Sequence, residues 1–111
     1  MDRYGYFDRQ GNPITLETWA GLWGQHEYRF VLNTRRAETW VITIWDGMDP
    51  YGMSDPVEIF ETTLFRRSST GGVRLGADKA LWSAETVERH ATEDEALRYH
   101  RSLVENVSDV R

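Results

Sequence analysis

Hydrophobic and polar residues alternate regularly over residues 27–34 and again over residues 39–45. In the first stretch every second residue is apolar or carries a hydroxyl: Tyr28, Phe30, Leu32 and Thr34. A period of two is typical of a β-strand with one buried face. Because only a short polar connection separates the two stretches, they predict an antiparallel hairpin.

A third strand is predicted over residues 57–65. Ile59 and Phe60 are adjacent and would point to opposite faces, so this strand is expected to be apolar on both sides and central in the sheet. Weaker strand patterns follow over residues 73–75, 80–82 and 85–90.

Helical spacing replaces alternation near both ends of the chain. Thr15 is expected to cap a helix that stops near Gly24, with Trp19 and Trp23 packed on the sheet. Thr92 and Glu95 form a capping-box pattern. The helix that follows carries one apolar stripe, formed by Ala96, Leu97, His100, Leu103, Val104 and Val107.

These elements predict one domain over residues 1–111, of the α+β class. The expected architecture is an antiparallel sheet of four to five strands, packed by a short N-terminal helix and a longer C-terminal helix.

The predicted second and third strands are joined by an unusually long loop, residues 46–56. Loops of this length inside a compact domain are either functional or disordered. It combines methionine and tyrosine side chains with three aspartates, which suits a protein-binding tip. The candidate binding residues in and beside the loop are Trp45, Asp46, Met48, Asp49, Tyr51, Met53, Asp55 and Glu61.

Composition narrows the possible partners. The chain has no cysteine, which excludes disulfides, thiolate metal sites and cysteine nucleophiles. Its net charge of −5 and its single lysine, Lys79, disfavour nucleic-acid binding and permit a partner with a basic surface. No apolar run approaches the ~20 residues of a membrane span, and the first residues do not resemble a secretion signal, so we expect a cytoplasmic protein.

Three motifs resemble a family of small, functionally unassigned proteins from actinobacterial phages and prophages. They are Asp8-Arg9-Gln10-Gly11-Asn12-Pro13, Trp45-Asp46-Gly47-Met48-Asp49 and Phe60-Glu61-Thr62, followed by Arg89, Thr92, Glu95, Ala96 and His100. Pro50 stands where the family usually has His, and Asp46 where it usually has Leu. The resemblance implies a bacterial host cell as the setting and implies no activity.

The carboxylates near the loop allow two interpretations. Asp46, Asp49, Asp55 and Glu61 offer oxygen ligands for Mg²⁺ or Ca²⁺, but their spacing matches no calcium loop, and a solvated acidic loop is favoured. Glu61 is either a general acid or base, or half of a structural ion pair. The ion pair is favoured, with Arg29, Arg66 or Arg89 as its partner.

The remaining candidate chemistry is weak. A zinc site needs three or four converging ligands, and the three histidines are scattered, so His100 is expected to be a hydrogen-bonded, half-buried residue beneath the sheet. The Ser68–Gly72 segment could hold a phosphate through backbone donors but is more typical of a hairpin turn.

The sequence therefore predicts a non-enzymatic protein with no catalytic residue, metal or cofactor, which binds a host or phage protein. A counter-defence inhibitor is a special case of this prediction. A homodimer formed through an edge strand or an aromatic face is compatible with this prediction. One alternative is a small-molecule or nucleotide sponge whose phosphate contacts would be Arg35, Arg36, Arg66 and Arg67. The other is a metal-assisted hydrolase using Asp46, Asp49 and Glu61.

Overall fold

The computed structural model describes residues 5–48, 56–75 and 80–107. Two short strands, β1 (Tyr6–Phe7) and β2 (Pro13–Ile14), precede helix α1 (Leu16–Trp23) and a single helical turn, α2 (His26–Arg29). The main sheet is built from β3 (Phe30–Arg35), β4 (Thr39–Trp45), β5 (Phe60–Ser68), β6 (Val73–Arg74) and β7 (Leu81–His90). Helix α3 (Glu93–Asn106) closes the described fold.

The five strands of the main sheet lie in the order β3-β4-β5-β7-β6, and every neighbouring pair is antiparallel. The predicted α+β class, the antiparallel sheet and the two helices are therefore confirmed. Strand β5 lies between β4 and β7, as its two apolar faces predicted. No helix among the described residues is long and apolar enough to cross a membrane.

Helix α1 begins and ends where the sequence predicted, but only part of its apolar face is buried. The Thr15 hydroxyl accepts a hydrogen bond from the Thr18 N–H (3.1 Å), and Gly24 follows the last helical residue. Trp19 packs against the core, whereas Trp23 remains 38% exposed. The expectation that both tryptophans pack on the sheet is corrected for Trp23, whose ring faces the Arg29 side chain instead.

The strand predicted over residues 27–34 is wrong at its start. Residues 26–29 form a helical turn in which the N–H groups of Tyr28 and Arg29 both donate to the Gln25 carbonyl oxygen (3.1 and 3.0 Å). Strand β3 then contains a bulge: Phe30 pairs with Ile44, but Leu32 pairs with Thr43. The extra residue places Phe30 on the face opposite to Leu32, so the simple alternation does not hold.

Two other strand boundaries shift. Strand β5 begins at Phe60 because the Ile59 carbonyl oxygen accepts hydrogen bonds from the N–H groups of Asp46 and Gly47 (3.0 and 3.2 Å). The two weak patterns over residues 80–82 and 85–90 belong to the one strand β7, which is bulged at Glu85 opposite the Leu64–Phe65 step.

Helix α3 covers one face of the sheet. Its predicted capping box is present between Thr92 and Glu95, and its inward-facing residues Ala96 and His100 are buried. The sheet face beneath it supplies most of the core: Val41, Thr43, Trp45, Phe60, Thr62 and Leu64. The opposite sheet face carries Ile42, Ile44, Thr63 and Phe65, all of them only partly buried.

Candidate functional site

The two ends of the long loop meet at Arg89 of β7. Its guanidinium donates to both carboxylate oxygens of Asp46, from Nη1 to Oδ2 (2.7 Å) and from Nη2 to Oδ1 (3.0 Å). Nη1 also donates to Oε2 of Glu61 (3.1 Å), the residue directly opposite Arg89 in the β5–β7 ladder. Such a two-pronged arginine–carboxylate pair fixes orientation as well as distance.

The same guanidinium also binds backbone oxygens on both sides of residues 49–55. Nη2 donates to the carbonyl oxygens of Met48 (3.0 Å) and Glu58 (2.7 Å). We call this set, comprising Arg89, the Asp46 and Glu61 carboxylates, and the carbonyl groups of Met48 and Glu58, the Arg89 cluster. It holds the start and the end of the loop in a fixed relation to the sheet.

The electrostatics of the Arg89 cluster keep Arg89 charged. Burial lowers the pKa of the Arg89 guanidinium, but the hydrogen bonds and charges of Asp46 and Glu61 outweigh this effect and raise that pKa above its ordinary value. One guanidinium faces two carboxylates, so the cluster carries a net negative charge at neutral pH.

The N-terminal segment and helix α1 also form hydrogen bonds with the loop base, in addition to those of the Arg89 cluster. The Phe7 N–H donates to the Gly47 carbonyl oxygen (2.8 Å), and the Trp45 indole N–H donates to the Phe7 carbonyl oxygen (3.0 Å). The Trp19 indole N–H donates to the Asp46 carbonyl oxygen (2.7 Å). The base of the loop is therefore bound by groups from β1, α1 and β7 and by Ile59, which directly precedes β5.

Gly47 is required by this crowded arrangement. Its φ of +73° lies in the left-handed region, and a Cβ atom there would lie 2.6 Å from Trp45 Cε2 and 2.8 Å from Trp19 Nε1. A larger residue would have to displace one of the two indole rings that support the loop base.

Trp45 does not have the role expected of it. Its side chain is 0% exposed and packs edge-on against Tyr28 (ring centroids 4.9 Å apart). A side chain without exposed surface cannot touch a partner, so the prediction of a direct apolar anchor at Trp45 is corrected to a core residue beneath the loop.

The other candidate binding residues divide into two groups. Asp46, Met48 and Glu61 all join the Arg89 cluster, Met48 through its backbone. The remaining candidates, Asp49, Tyr51, Met53 and Asp55, lie outside the described residues.

The ion pair favoured for Glu61 is present, with Arg89 as its partner. The sequence did not indicate that Asp46 shares the same arginine, or that Trp19 reaches the loop. Both contacts join residues that are far apart in the chain, and neither has a local sequence signal.

The part of the chain that the structure describes contains no set of metal ligands for the metal-assisted hydrolase alternative. No group of three His, Asp or Glu side chains there is arranged to hold a metal ion. Asp46 and Glu61 direct oxygens at a guanidinium, which occupies the position that a cation would need.

The arginines of the nucleotide-sponge alternative lie away from the loop. Arg66 pairs with Thr39 at the start of β4, whereas the loop leaves from the end of that strand. Arg66 forms an ion pair with Glu85 (2.8 Å), and Arg67 donates weakly to the Ala37 carbonyl oxygen (3.4 Å). Arg35 lies over Trp40 (4.7 Å from its ring centroid), which is itself buried. Arg36 is exposed in the short connection between β3 and β4.

His100 is satisfied by hydrogen bonds, as expected, although it is more deeply buried than the sequence suggested. Nε2 lies 2.8 Å from the Thr34 hydroxyl and Nδ1 lies 2.8 Å from the Thr43 hydroxyl, which in turn contacts the Thr62 hydroxyl (2.6 Å). Burial, reinforced by the charge of Arg101, lowers the pKa of His100 to about 4. The imidazole is therefore neutral at pH 7 and joins helix α3 to three strands.

No family model, curated protein or solved structure matches this chain. The resemblance to phage and prophage proteins accordingly stays a prediction.

Proposed function

We propose that this chain is a non-enzymatic binding protein that docks residues 46–56 onto a protein with a basic surface. The observation that carries the proposal is the Arg89 cluster, in which one guanidinium binds the residues on both sides of segment 49–55.

Fixing the ends of a loop favours binding for a simple reason. Association costs conformational freedom, and about 0.5–1.5 kcal/mol is lost for each rotamer-rich side chain that becomes ordered. A loop whose base is held by Arg89, Trp19 and Gly47 loses less freedom on docking than one on a loose base. Recognition loops on rigid sheets follow the same principle.

The charge of the loop region specifies the partner's chemistry. The Arg89 cluster is net negative, and segment 49–55 adds Asp49 and Asp55 to a chain whose overall charge is −5. Complementary charge raises the rate of encounter and rejects acidic partners. Within this proposal Met48, Tyr51 and Met53 provide the apolar contact, and Trp45 supports the loop from the core.

The setting that we propose is the cytoplasm of an actinobacterial host carrying a phage or prophage. The motifs that resemble phage-encoded proteins support this setting. An acidic protein that covers a basic site on a host protein would suit counter-defence, because it would exclude the nucleic acid that such a site normally binds.

The test begins with capture from an actinobacterial lysate and continues with the captured protein in purified form. The affinity of that protein is measured by calorimetry for the wild type, for the double variant Asp49→Ala with Tyr51→Ala, and for Arg98→Ala. Arg98 is exposed on helix α3 and serves as the matched surface control. We expect the double variant to lose at least about tenfold in affinity and Arg98→Ala to lose less than about twofold.

Raised salt should slow association of the wild type more than that of the double variant, because the aspartate contributes to long-range steering. Equal affinities for all three proteins would overturn the proposal, as would a partner that binds through a conserved acidic surface of its own.

A further inference from the structure

The sheet face opposite helix α3 contains a groove with a volume of about 310 Å³. Its floor is formed by Ile42 and Ile44 of β4 and by Phe65 of β5, and Trp23 and Phe30 line it as well. This volume is at the lower end of the range for small-molecule sites, which are mostly apolar with a few polar groups that fix orientation.

Among the described residues that line this groove, Arg29 is the cation, and none of the described carboxylates serves as its counter-ion. Its guanidinium carbon lies 4.0 Å from the ring centroid of Trp23 and 4.9 Å from that of Phe30. Its Nε is buried and has no hydrogen-bond partner. In the part of the chain that the structure describes, no carboxylate forms an ion pair with Arg29.

An unpartnered buried donor is expensive, at about 1–3 kcal/mol. Buried polar groups are nearly always hydrogen-bonded, so Arg29 Nε is one of three exceptions among the described side chains, with Trp82 Nε1 and His90 Nδ1. The two aromatic rings hold the guanidinium plane in place, and a planar guanidinium matches a carboxylate with two parallel hydrogen bonds.

Glu61, the other charged side chain in the described lining of the groove, already forms an ion pair with Arg89. Glu61 lines the groove two strands away from Phe30, because Phe30 pairs with Ile44 and Ile44 pairs with Glu61. Two strand spacings amount to about 10 Å. Glu61 already pairs with Arg89, so the described lining of the groove offers the unpaired charge of Arg29 at one end and apolar surface between the two side chains.

We infer that this groove binds a small monocarboxylic acid with an apolar tail. The carboxylate accepts hydrogen bonds from Arg29, and the tail lies on Ile42, Ile44 and Phe65. A ligand with several negative charges fits less well, because its further charges would lie toward the acidic Arg89 cluster. The ligand contacts inferred here do not include residues 46–56, so the inference does not depend on the loop surface proposed above.

Three ligands with the same eight-carbon tail separate the effect of charge from that of hydrophobicity: octanoate, 1-octanol and octylamine. Each is titrated into the ¹⁵N-labelled protein, and amide shifts are followed by NMR. We expect octanoate to shift the amides of Phe30, Ile44 and Thr63 and to bind at least about tenfold more tightly than octylamine, with 1-octanol between them.

The decisive variant is Arg29→Gln, with Arg98→Gln on the exposed face of α3 as its matched control. Arg29→Gln should weaken octanoate at least about tenfold while 1-octanol binds as before, which also shows that the groove is still folded. If Arg29→Gln fails to fold, Arg29→Lys replaces it; a lysine keeps the charge but loses the paired hydrogen bonds, so octanoate should weaken by a smaller factor.

Equal binding of the three ligands, or octanoate shifts that fall elsewhere, would overturn the inference. A dimer would also overturn it if dilution of the protein shifts the amides that line the groove and octanoate does not dissociate the dimer. That result would assign this face to a second copy of the chain.

Discussion

Arg89 and Asp46 lie 43 positions apart in the chain and form a two-pronged ion pair, with N–O distances of 2.7 and 3.0 Å. The pair joins β7, the second-to-last strand across the sheet, to the first residue after β4. Because the same guanidinium also binds the Met48 and Glu58 carbonyl oxygens, the geometry of the loop base depends on this one side chain.

Replacing Arg89 with Met should therefore destabilise the protein by about 2–4 kcal/mol, measured as the free energy of unfolding in urea. The substitution leaves two partly buried carboxylates and two carbonyl oxygens without their donor. Amide hydrogen exchange at Asp46 and Gly47 should accelerate beyond the global change, since these residues lose their local support.

Arg66→Met is the control for this prediction. Arg66 forms an ion pair with Glu85 in which both side chains are more than a third exposed, and such pairs contribute about 0–1 kcal/mol. A loss in Arg89→Met no larger than that in Arg66→Met would contradict the assigned role of the Arg89 cluster.

Gly47→Ala should destabilise the fold by at least about 2 kcal/mol more than Gly11→Ala. Both glycines have positive φ, so both substitutions incur the cost of left-handed backbone, about 1–2 kcal/mol. A Cβ at Gly11 has no neighbour within 4 Å, whereas at Gly47 it overlaps the Trp45 and Trp19 rings. Thermal unfolding of the two variants measures the difference, and equal losses would show that the rings move aside at little cost.

Elements governed by local chemistry were predictable from the sequence. The capping box at Thr92, the hydroxyl cap at Thr15 and the alternation of Thr39–Trp45 each specify their structure within a few residues, and all three are present. The bulge in β3 was not predictable, because the extra residue at Val31 is set by pairing with β4 rather than by the side chains around it.

The candidate site was predictable only in outline. The length and composition of the loop drew attention to residues 46–56, and the ion pair of Glu61 was anticipated. Burial of Trp45 was not, because a tryptophan beside a loop serves equally well as core or as contact surface until the packing of β1 and α2 against it is known. The groove at Arg29 was missed because its lining comes from helices and strands far apart in the chain.

Thr43→Val should cost about 1–3 kcal/mol, although it preserves shape and suits a strand. The Thr43 hydroxyl lies between His100 Nδ1 and the Thr62 hydroxyl, and its removal leaves both buried groups without a partner. Thr63→Val, one residue along the chain from Thr62 and on the partly exposed face, should change stability by less than about 0.5 kcal/mol. Chemical denaturation compares the two, and equal effects would argue against a hydrogen-bonded network at His100.

His100 should make the protein lose stability as the pH falls below about 6.5. Its pKa is about 4 in the folded protein against 6.5 in the unfolded chain, because burial and the Arg101 charge disfavour the imidazolium. The unfolded state therefore binds more protons between these values. The contribution of His100 is fully present above pH 6.5 and is lost as the pH falls toward 4, by about 3 kcal/mol in total.

An NMR titration of the His100 ring gives its pKa directly. The slope of unfolding free energy against pH should be flatter in His100→Asn than in the wild type. A ring pKa near 6.5, or equal slopes in the two proteins, would show that the buried imidazole is not held neutral.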